Sequence, residues 1–286
     1  MDRTPIHTVA VLGAGTMGQG IARVCASAGF KTLLYDISEE LVGKGMAALE
    51  NSLGKDIEKG KLSATQRLAI EKNIVPCHAL QDVKADMVVE AVVENLIVKQ
   101  DLFREIEKGS APVVFATNTS SLSVTQIASV LTHPGCCVGL HFFNPAPLMK
   151  LVEVIAGSAT DPELIPVMIE FSKKLGKTPV VVKDSPGFIV NRVARHYYLE
   201  SLKVLEENVS DERGIDTLLR SAGFRMGPFE LMDLIGIDIN FSVTSSLYHA
   251  FHKEPRFRPS RIQQEKVEAG HLGRKNGKGF YDYEKN

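Results

Sequence analysis

A glycine-rich segment, "VLGAGTMGQG" at residues 11–20, constrains the fold of this chain more than any other feature. It joins a short β-branched run, "TVAVLG" (8–13), to the stretch "TMGQGIARVCASAG" (16–29), whose apolar residues recur at helical spacing. Gly29 is placed to end that helix. A strand, a glycine turn and a helix in immediate succession predict the first unit of an alternating α/β fold.

The same alternation continues through the first two-thirds of the chain. A long polar segment at about 38–73 predicts an inserted helical hairpin. Most of the predicted strands are continuous apolar runs, as expected of strands that are covered on both faces, so we predict a Rossmann-type doubly wound parallel sheet. The predicted strands are residues 8–13, 30–36, 85–92, 113–118, 137–143, 150–157 and 178–184.

The pattern changes at "KDSPGFIVNRVARHYYLESLKVLEEN", after which only helical periodicity is found until "GFYDY" near the end. Asp184 or Ser185 can cap a helix whose first residue is Pro186. We therefore predict two domains, a sheet domain over residues 1–184 and an all-helical C-terminal domain over residues 185–286.

The glycine turn has the G-x-G-x-x-G spacing of a dinucleotide-binding loop, in the strand-to-helix context that this motif requires. The alternative is a glycine turn without a ligand. An acid at the end of the next predicted strand favours the ligand, because it can accept hydrogen bonds from both ribose hydroxyls and repels a 2′-phosphate. The sequence therefore predicts NAD rather than NADP. The predicted contacts are Gly13, Gly15, Thr16, Met17, Gly18 and Asp36.

The apolar segment "GLHFFNPAPLMKLVEVI" (139–155) contains one histidine, His141, and one acid, Glu153. A histidine in an apolar strand is more often a satisfied core residue than a catalyst. His141 nears the end of its predicted strand, however, and active sites of parallel sheets form at the carboxyl ends of strands. A buried carboxylate needs a partner, and a His–Glu pair on neighbouring strands satisfies both groups and fixes the imidazole tautomer. We therefore predict an acid/base pair.

Seven segments run in order through essentially the whole chain: "GAGTMGQGIA", "VVEAVVENL", "NTSSLS", "GLHFFNPAPLMKLVEVI", "KDSPGFIVNR", "MGPFELMDLIG" and "AGHLGRKNGKGFYDY". Together they resemble the 3-hydroxyacyl-CoA dehydrogenase family, and most of all its short-chain 3-hydroxybutyryl-CoA dehydrogenases. The resemblance implies reversible, NAD-dependent oxidation at C3 of a 3-hydroxyacyl-CoA by a homodimer.

The resemblance also implies roles for single residues. His141 would be the general acid/base and Glu153 its partner, with Ser120 and Asn191 near the reacting oxygen. Without the resemblance, Ser120 is a turn residue and Asn191 belongs to a polar helix face. The residues implied on the cofactor side are Glu94, Lys99, Asn118 and Asn144. By spacing alone, the first two are an exposed pair at a helix start, and the last is an Asn-Pro turn.

Coenzyme A would lie partly against the inserted hairpin, where Ser52 and Lys59 match the family's positions. The two are seven positions apart, so they share one face of a helix. For Lys55 and Lys61, a role with the phosphates of CoA and a solvated basic face are both open.

Composition excludes other classes of protein. A net charge of -1 lacks the basic footprint of a nucleic-acid binder, and no apolar run is long enough to cross a bilayer. The first residues show no charged leader with an apolar stretch and a cleavage site, which favours the cytoplasm. The four cysteines have no metal-ligand spacing, so we predict no metal.

Two alternative functions stay open. One is a sugar-acid dehydrogenase of the L-gulonate type, which shares the fold and the His–Glu pair. The other is an NAD-binding protein without catalytic activity. The apolar stretch "FELMDLIGIDINF" (229–241) exceeds what a domain of this size buries alone and favours a dimer under any of these functions.

Overall fold

The structure, a computed structural model, describes residues 5–109 and 114–283. The chain divides into two compact units, residues 1–185 and 186–286. The strands of the first unit are β1 (Thr8–Leu12), β2 (Lys31–Tyr35), β3 (Ile74–Cys77), β4 (Met87–Glu90), β5 (Val114–Thr117), β6 (Cys137–Phe142), β7 (Leu151–Ala156) and β8 (Thr178–Lys183). They form an eight-stranded sheet in the order β3-β2-β1-β4-β5-β6-β7-β8.

The sheet is parallel from β3 across to β6, and its central strands are buried on both faces. The prediction of a Rossmann-type sheet followed by helices is therefore confirmed. Residue 113, the predicted first residue of the strand that forms β5, lies outside the described residues. Because β1, β4, β5 and β6 lie side by side, their carboxyl ends meet at one edge of the sheet.

Two strands differ from the prediction. β7 runs antiparallel to β6, whereas the prediction named a parallel sheet. Only residues 143–150 separate these strands, and a parallel crossover needs about a dozen residues or more, so the chain returns as a hairpin. β3 was not predicted, because it is only four residues long and contains Pro76, which argues against a strand except at the edge of a sheet, where β3 lies.

The helices of the first unit are α1 (Thr16–Ser27), α2 (Glu39–Glu58), α3 (Ala64–Asn73), α4 (Leu96–Gly109), α5 (Val124–Ala128) and α6 (Leu164–Lys174). α2 and α3 form the hairpin predicted at about 38–73. Ser38 caps α2, and Ser63 forms a capping box with Gln66 at the start of α3. A Cβ on Gly45 would lie 2.7 Å from the Cβ of Ala14, so α2 packs directly on the glycine turn.

The second unit contains α7 (Val190–Glu206), α8 (Glu212–Ser221), α9 (Pro228–Ile235), α10 (Ile237–Ala250) and α11 (Arg261–Glu268). Its core includes Tyr198, Leu202, Phe229, Met232 and Ile237. None of the described helices is long and apolar enough to cross a membrane.

The predicted helix start at Pro186 is wrong, because α7 begins at Val190. Gly187 and Phe188 have positive φ angles of 72° and 51°, which no helix continues through. Asp184 does not cap this helix. Its carboxylate instead accepts hydrogen bonds from the Ser123 hydroxyl (2.7 Å) and from a backbone N–H of the first unit (2.8 Å).

Candidate active site

His141 and Glu153 form a hydrogen-bonded pair across the β6–β7 hairpin. They are direct partners in the antiparallel register, and His141 Nδ1 lies 2.7 Å from Glu153 Oε2. The two residues are 6% and 1% exposed, so little solvent competes for the bond. With a carboxylate at Nδ1, the neutral imidazole carries its proton there, and Nε2 becomes the basic nitrogen. The ring of Phe143 packs 4.5 Å from the imidazole centroid.

The glycine turn after β1 leaves room for an anion. Gly13 has a φ of 106°, and a Cβ there would lie 2.6 Å from the carbonyl O of Ala91. A Cβ on Gly18 would lie 1.7 Å from the carbonyl O of Gly13, so this glycine lets α1 approach the turn. Around Gly15, in contrast, a Cβ would meet nothing within 4 Å. That open space lies at the N-terminus of α1, where backbone N–H groups and the helix dipole favour a pyrophosphate. These residues therefore fit a dinucleotide.

Asp36 follows β2 beside this turn. Its Oδ2 accepts from Ala14 N (2.7 Å) and its Oδ1 from Ile37 N (2.8 Å). Each oxygen takes one backbone donor and keeps a lone pair for a ribose hydroxyl. Ile37 is 81% exposed and brings no cation to the site, which agrees with the prediction of NAD over NADP.

An ionic cluster, buried at Lys99 and Glu90, lies where β4 and β5 end. Lys99 is 1% exposed, and its ammonium lies 2.6 Å from Glu90 Oε1 and 3.1 Å from Glu94 Oε2. Glu90 is fully buried and also accepts from the Thr117 hydroxyl (2.7 Å). Spacing alone suggested an exposed pair at a helix start, which is wrong for Lys99. Its side chain faces the interior because two carboxylates compensate its charge there.

Glu94 in turn organises the turn that contains Ser120. Its Oε1 accepts from the Thr119 hydroxyl (2.6 Å), the backbone N–H of Ser120 (2.9 Å) and both the N–H and the hydroxyl of Ser121. Burial alone would raise the pKa of Glu94, but Lys99 and these donors outweigh it and hold the pKa below its usual value. The carboxylate therefore stays ionised and fixes the backbone on which Ser120 is mounted.

The two predicted asparagines lie near these elements. Asn118 follows β5, and its Oδ1 accepts from the backbone N–H of Phe142 (2.9 Å) at the end of β6. Asn144 is exposed and precedes Pro145, to which it is joined by a cis peptide bond. Both residues therefore lie beside the strand that carries His141.

A cleft of about 360 Å³ lies between α1, α2 and the segment after β6. Three residues that the resemblance implied line it, namely Ser52, Lys59 and Asn144. Arg23 Nη1 donates to the Ser52 hydroxyl (2.8 Å), and its other amino group pairs with Asp56. The cleft thus connects the hairpin to the loop that follows the His141 strand.

Two family models match successive parts of the chain. The 3-hydroxyacyl-CoA dehydrogenase, NAD binding domain, covers residues 8–185, and the 3-hydroxyacyl-CoA dehydrogenase, C-terminal domain, covers residues 187–283. The chain belongs to the 3-hydroxyacyl-CoA dehydrogenase family. The predicted family, enzyme class and NAD cofactor are thereby confirmed, and the sugar-acid alternative is not favoured.

Individual relatives agree with this family. The 3-hydroxyadipyl-CoA dehydrogenase of Escherichia coli K12 is 48% identical over 97% of this chain, which spans only 59% of that protein. A probable 3-hydroxybutyryl-CoA dehydrogenase of Bacillus subtilis is 39% identical, with 98% of each chain covered. The crystal structure of the (S)-3-hydroxybutyryl-CoA dehydrogenase from Ralstonia eutropha has a TM-score of 0.93 at 39% identity, covering 98% of this chain and 100% of that one.

One predicted site residue of this 3-hydroxyacyl-CoA dehydrogenase lies in the second unit. Asn191 is the second residue of α7 and is half-buried, and its carbonyl O accepts from Arg195 Nε (3.2 Å). A role of its side chain near the reacting oxygen stays a prediction.

Sequence reasoning missed two residues of this dehydrogenase's site region. Glu90 carried a usable signal, because it is an acid at the end of the apolar strand "MVVE", the same pattern that drew attention to Glu153. Arg23 carried none, because its partners Ser52 and Asp56 lie on a different helix and only the fold brings them together.

Proposed function

We propose that this chain catalyses the reversible, NAD-dependent oxidation of a 3-hydroxyacyl-CoA at C3, with His141 as the general acid/base. The buried His141–Glu153 pair, in a chain of this family, is the observation that carries the proposal. The bound cofactor supplies the hydride acceptor.

In the proposed reaction, Nε2 of His141 takes the proton of the C3 hydroxyl, and Glu153 stabilises the imidazolium that forms. In the reverse direction, the imidazolium returns this proton to the ketone oxygen. Ser120 and Asn191 hold the reacting oxygen, and the Glu94 carboxylate orients the turn of Ser120. A positioned acid/base group contributes about 10²- to 10⁴-fold in rate.

The CoA part of the substrate is proposed to follow the cleft lined by Ser52 and Lys59. Asn144, two residues after β6, also lines that cleft, so we place the acyl group toward the strand that carries His141. Ser52 supplies a hydroxyl that is already oriented by Arg23, and Lys59 supplies a cation for the phosphates.

Two acyl groups are candidates. The name of the Bacillus subtilis relative points to 3-hydroxybutyryl-CoA, and we propose this short chain first. The Escherichia coli relative is 48% identical and is named for 3-hydroxyadipyl-CoA, whose acyl chain ends in a free carboxylate. That identity makes a dicarboxylic substrate the second candidate.

A steady-state assay of NADH oxidation tests the proposal. We expect turnover with acetoacetyl-CoA, and a higher kcat/KM with NADH than with NADPH. A higher kcat/KM with 3-ketoadipyl-CoA would favour the second candidate. Oxidation of L-gulonate with NAD⁺, without activity on any acyl-CoA, would contradict both, and tight NADH binding without any turnover would indicate a non-catalytic protein.

We also propose that the protein is a homodimer and that it acts in the cytoplasm. Several large apolar side chains of the second unit are exposed, as in proteins that bury such a face against another copy. The buried thiols of Cys25, Cys77 and Cys137 are free, which agrees with a reducing compartment.

A further inference from the structure

A second cleft of about 340 Å³ adjoins the proposed CoA cleft, and Arg23 and Pro147 line both. It lies where α1 and α6 end. Four of its lining residues are cations, and among the described residues that line it none is acidic. The cations are Arg23, Lys150, Lys174 and Lys177.

Most of this positive charge is uncompensated. Arg23 pairs with Asp56, which lines the neighbouring cleft. Lys177 is 8% exposed and donates to the carbonyl O of Ala146 and to that of Met149 (2.8 Å), which are neutral acceptors. Lys150 and Lys174 are exposed and make no ion pair within the described parts of the chain.

The pKa of Lys177 reflects its burial and the positive charge beside it. Burial lowers this pKa, and the neighbouring charge of Lys150 lowers it further. Two ammonium groups therefore act on each other in this cleft, and an anion bound between them would relieve the repulsion.

The size of the charge points to a particular anion. Three cations remain after Arg23 is matched with Asp56. The carboxyl ends of α1 and α6 each contribute about −0.5, so the cleft carries about +2. A phosphate monoester carries about −1.5 to −2 near pH 7, which this charge matches.

We propose that this cleft binds the 3′-phosphate of the acyl-CoA substrate, with Lys150 and Lys174 as its ligands. The proposal rests on the proposed function and deepens it. The two clefts share Arg23 and Pro147, and the first is also lined by Asn144, which follows His141 by three positions in the sequence. A substrate with its thioester near His141 would thus carry its nucleotide end toward the lysines.

The test compares CoA with 3′-dephospho-CoA, which differ only in this phosphate. Isothermal titration calorimetry would measure both Kd values for the wild type and for the Lys150→Gln, Lys174→Gln double variant. We expect the double variant to bind CoA roughly tenfold more weakly, as two partly exposed charge pairs allow, and to bind 3′-dephospho-CoA as the wild type does. In turnover, KM for acetoacetyl-CoA rises and kcat is retained.

Lys173→Gln is the matched control, because Lys173 is adjacent in sequence but pairs with Glu170 and does not line the cleft. It should change neither Kd. Equal wild-type affinity for CoA and 3′-dephospho-CoA would overturn the subsite, and so would a double variant that weakens both ligands equally. These binding results are independent of turnover, so a chain that binds CoA through its 3′-phosphate but reduces no 3-ketoacyl-CoA would contradict only the proposed function.

Discussion

The hydrogen bond between His141 Nδ1 and Glu153 Oε2 determines which imidazole nitrogen can act as a base. For His141→Ala, we expect kcat to fall by about 10²- to 10⁴-fold, because no other side chain replaces the acid/base group. The Kd for NADH, measured by fluorescence titration, should stay near that of the wild type. Near wild-type turnover would remove His141 from the mechanism.

Glu153→Gln tests the partner at nearly constant volume. A glutamine that donates to Nδ1 would leave the proton on Nε2, so the imidazole presents the wrong tautomer. We expect kcat for hydroxyacyl-CoA oxidation to fall by about 10²- to 10⁴-fold, with an altered pH–rate profile. Glu170→Gln, an exposed carboxylate on α6, is the control. A rate and a profile that match the wild type would limit Glu153 to a structural role.

Among single residues, the sequence predicted the His141–Glu153 pair but not the side chains around it. His141 and Glu153 stand out because each is a polar residue in an apolar strand. Ser120 carries no such mark, and only a resemblance could assign it a role. Its orientation depends on Glu94, which lies on another strand–helix connection, so no local pattern contains the information.

Two glycines in the turn between β1 and α1 have different roles, one in leaving space for a ligand and one in packing the helix. Gly15→Ala should leave the free energy of unfolding within about 0.5 kcal/mol of wild type, because its Cβ meets no protein atom. Its affinity for NADH should fall, since the methyl group occupies the space that a pyrophosphate approaches. Gly18→Ala should instead destabilise the fold by about 1–3 kcal/mol or more, because its Cβ overlaps the Gly13 carbonyl.

Urea unfolding and NADH titration of both variants measure these effects. A Gly15→Ala chain that binds NADH as tightly as the wild type would place the dinucleotide elsewhere. Gly43, on α2, also has nothing within 4 Å of a Cβ, so Gly43→Ala controls for a general effect of the added methyl group.

The turn after β5 should respond to pH through Glu94. The folded-state pKa of Glu94 lies below its usual value of 4.5, so its carboxylate stabilises the fold above about pH 4.5. This contribution is lost as the pH falls through the folded-state pKa. The difference in unfolding free energy between wild type and Glu94→Gln should therefore be largest above pH 4.5 and shrink on acidification. A difference that is constant from pH 3 to 7 would contradict this assignment.

The β6–β7 hairpin shows why the sheet was predicted only in part. Buried strands are apolar runs whatever their direction, so the residues of β7 do not themselves show that it runs antiparallel to β6. The short connection 143–150 did carry that information. The hairpin is also what makes the active pair, because it places Glu153 directly opposite His141 in the register.

The division into two units follows the change from strand–helix alternation to helices alone. The start of α7 was misplaced, because Pro186 and the preceding polar residues look like a helix start while Gly187 and Phe188 turn the chain first. The Asp184 carboxylate accepts a hydrogen bond from the Ser123 hydroxyl, which lies 61 positions earlier in the sequence. Long-range hydrogen bonds of this kind cannot be read from local propensity.

The apolar stretch at 229–241 led to the prediction of a dimer, and the structure divides that stretch in two. Phe229, Met232 and Ile237 are fully buried, whereas Leu234 and Ile239 are each 50% exposed at the corner between α9 and α10. The second unit therefore buries three of the eight apolar side chains in this stretch and leaves three others, Leu234, Ile235 and Ile239, exposed at the surface.

We predict that this exposed corner belongs to the dimer interface. Size-exclusion chromatography with light scattering should give twice the 31.3 kDa mass of one chain. Leu234→Asp should shift the protein toward the monomer, because a carboxylate buried without a partner costs several kcal/mol. Leu68→Asp, at a 66% exposed position on α3 of the first unit, should leave the dimer intact. A wild type that is monomeric at micromolar concentration, or a Leu234→Asp variant that stays dimeric, would contradict this interface.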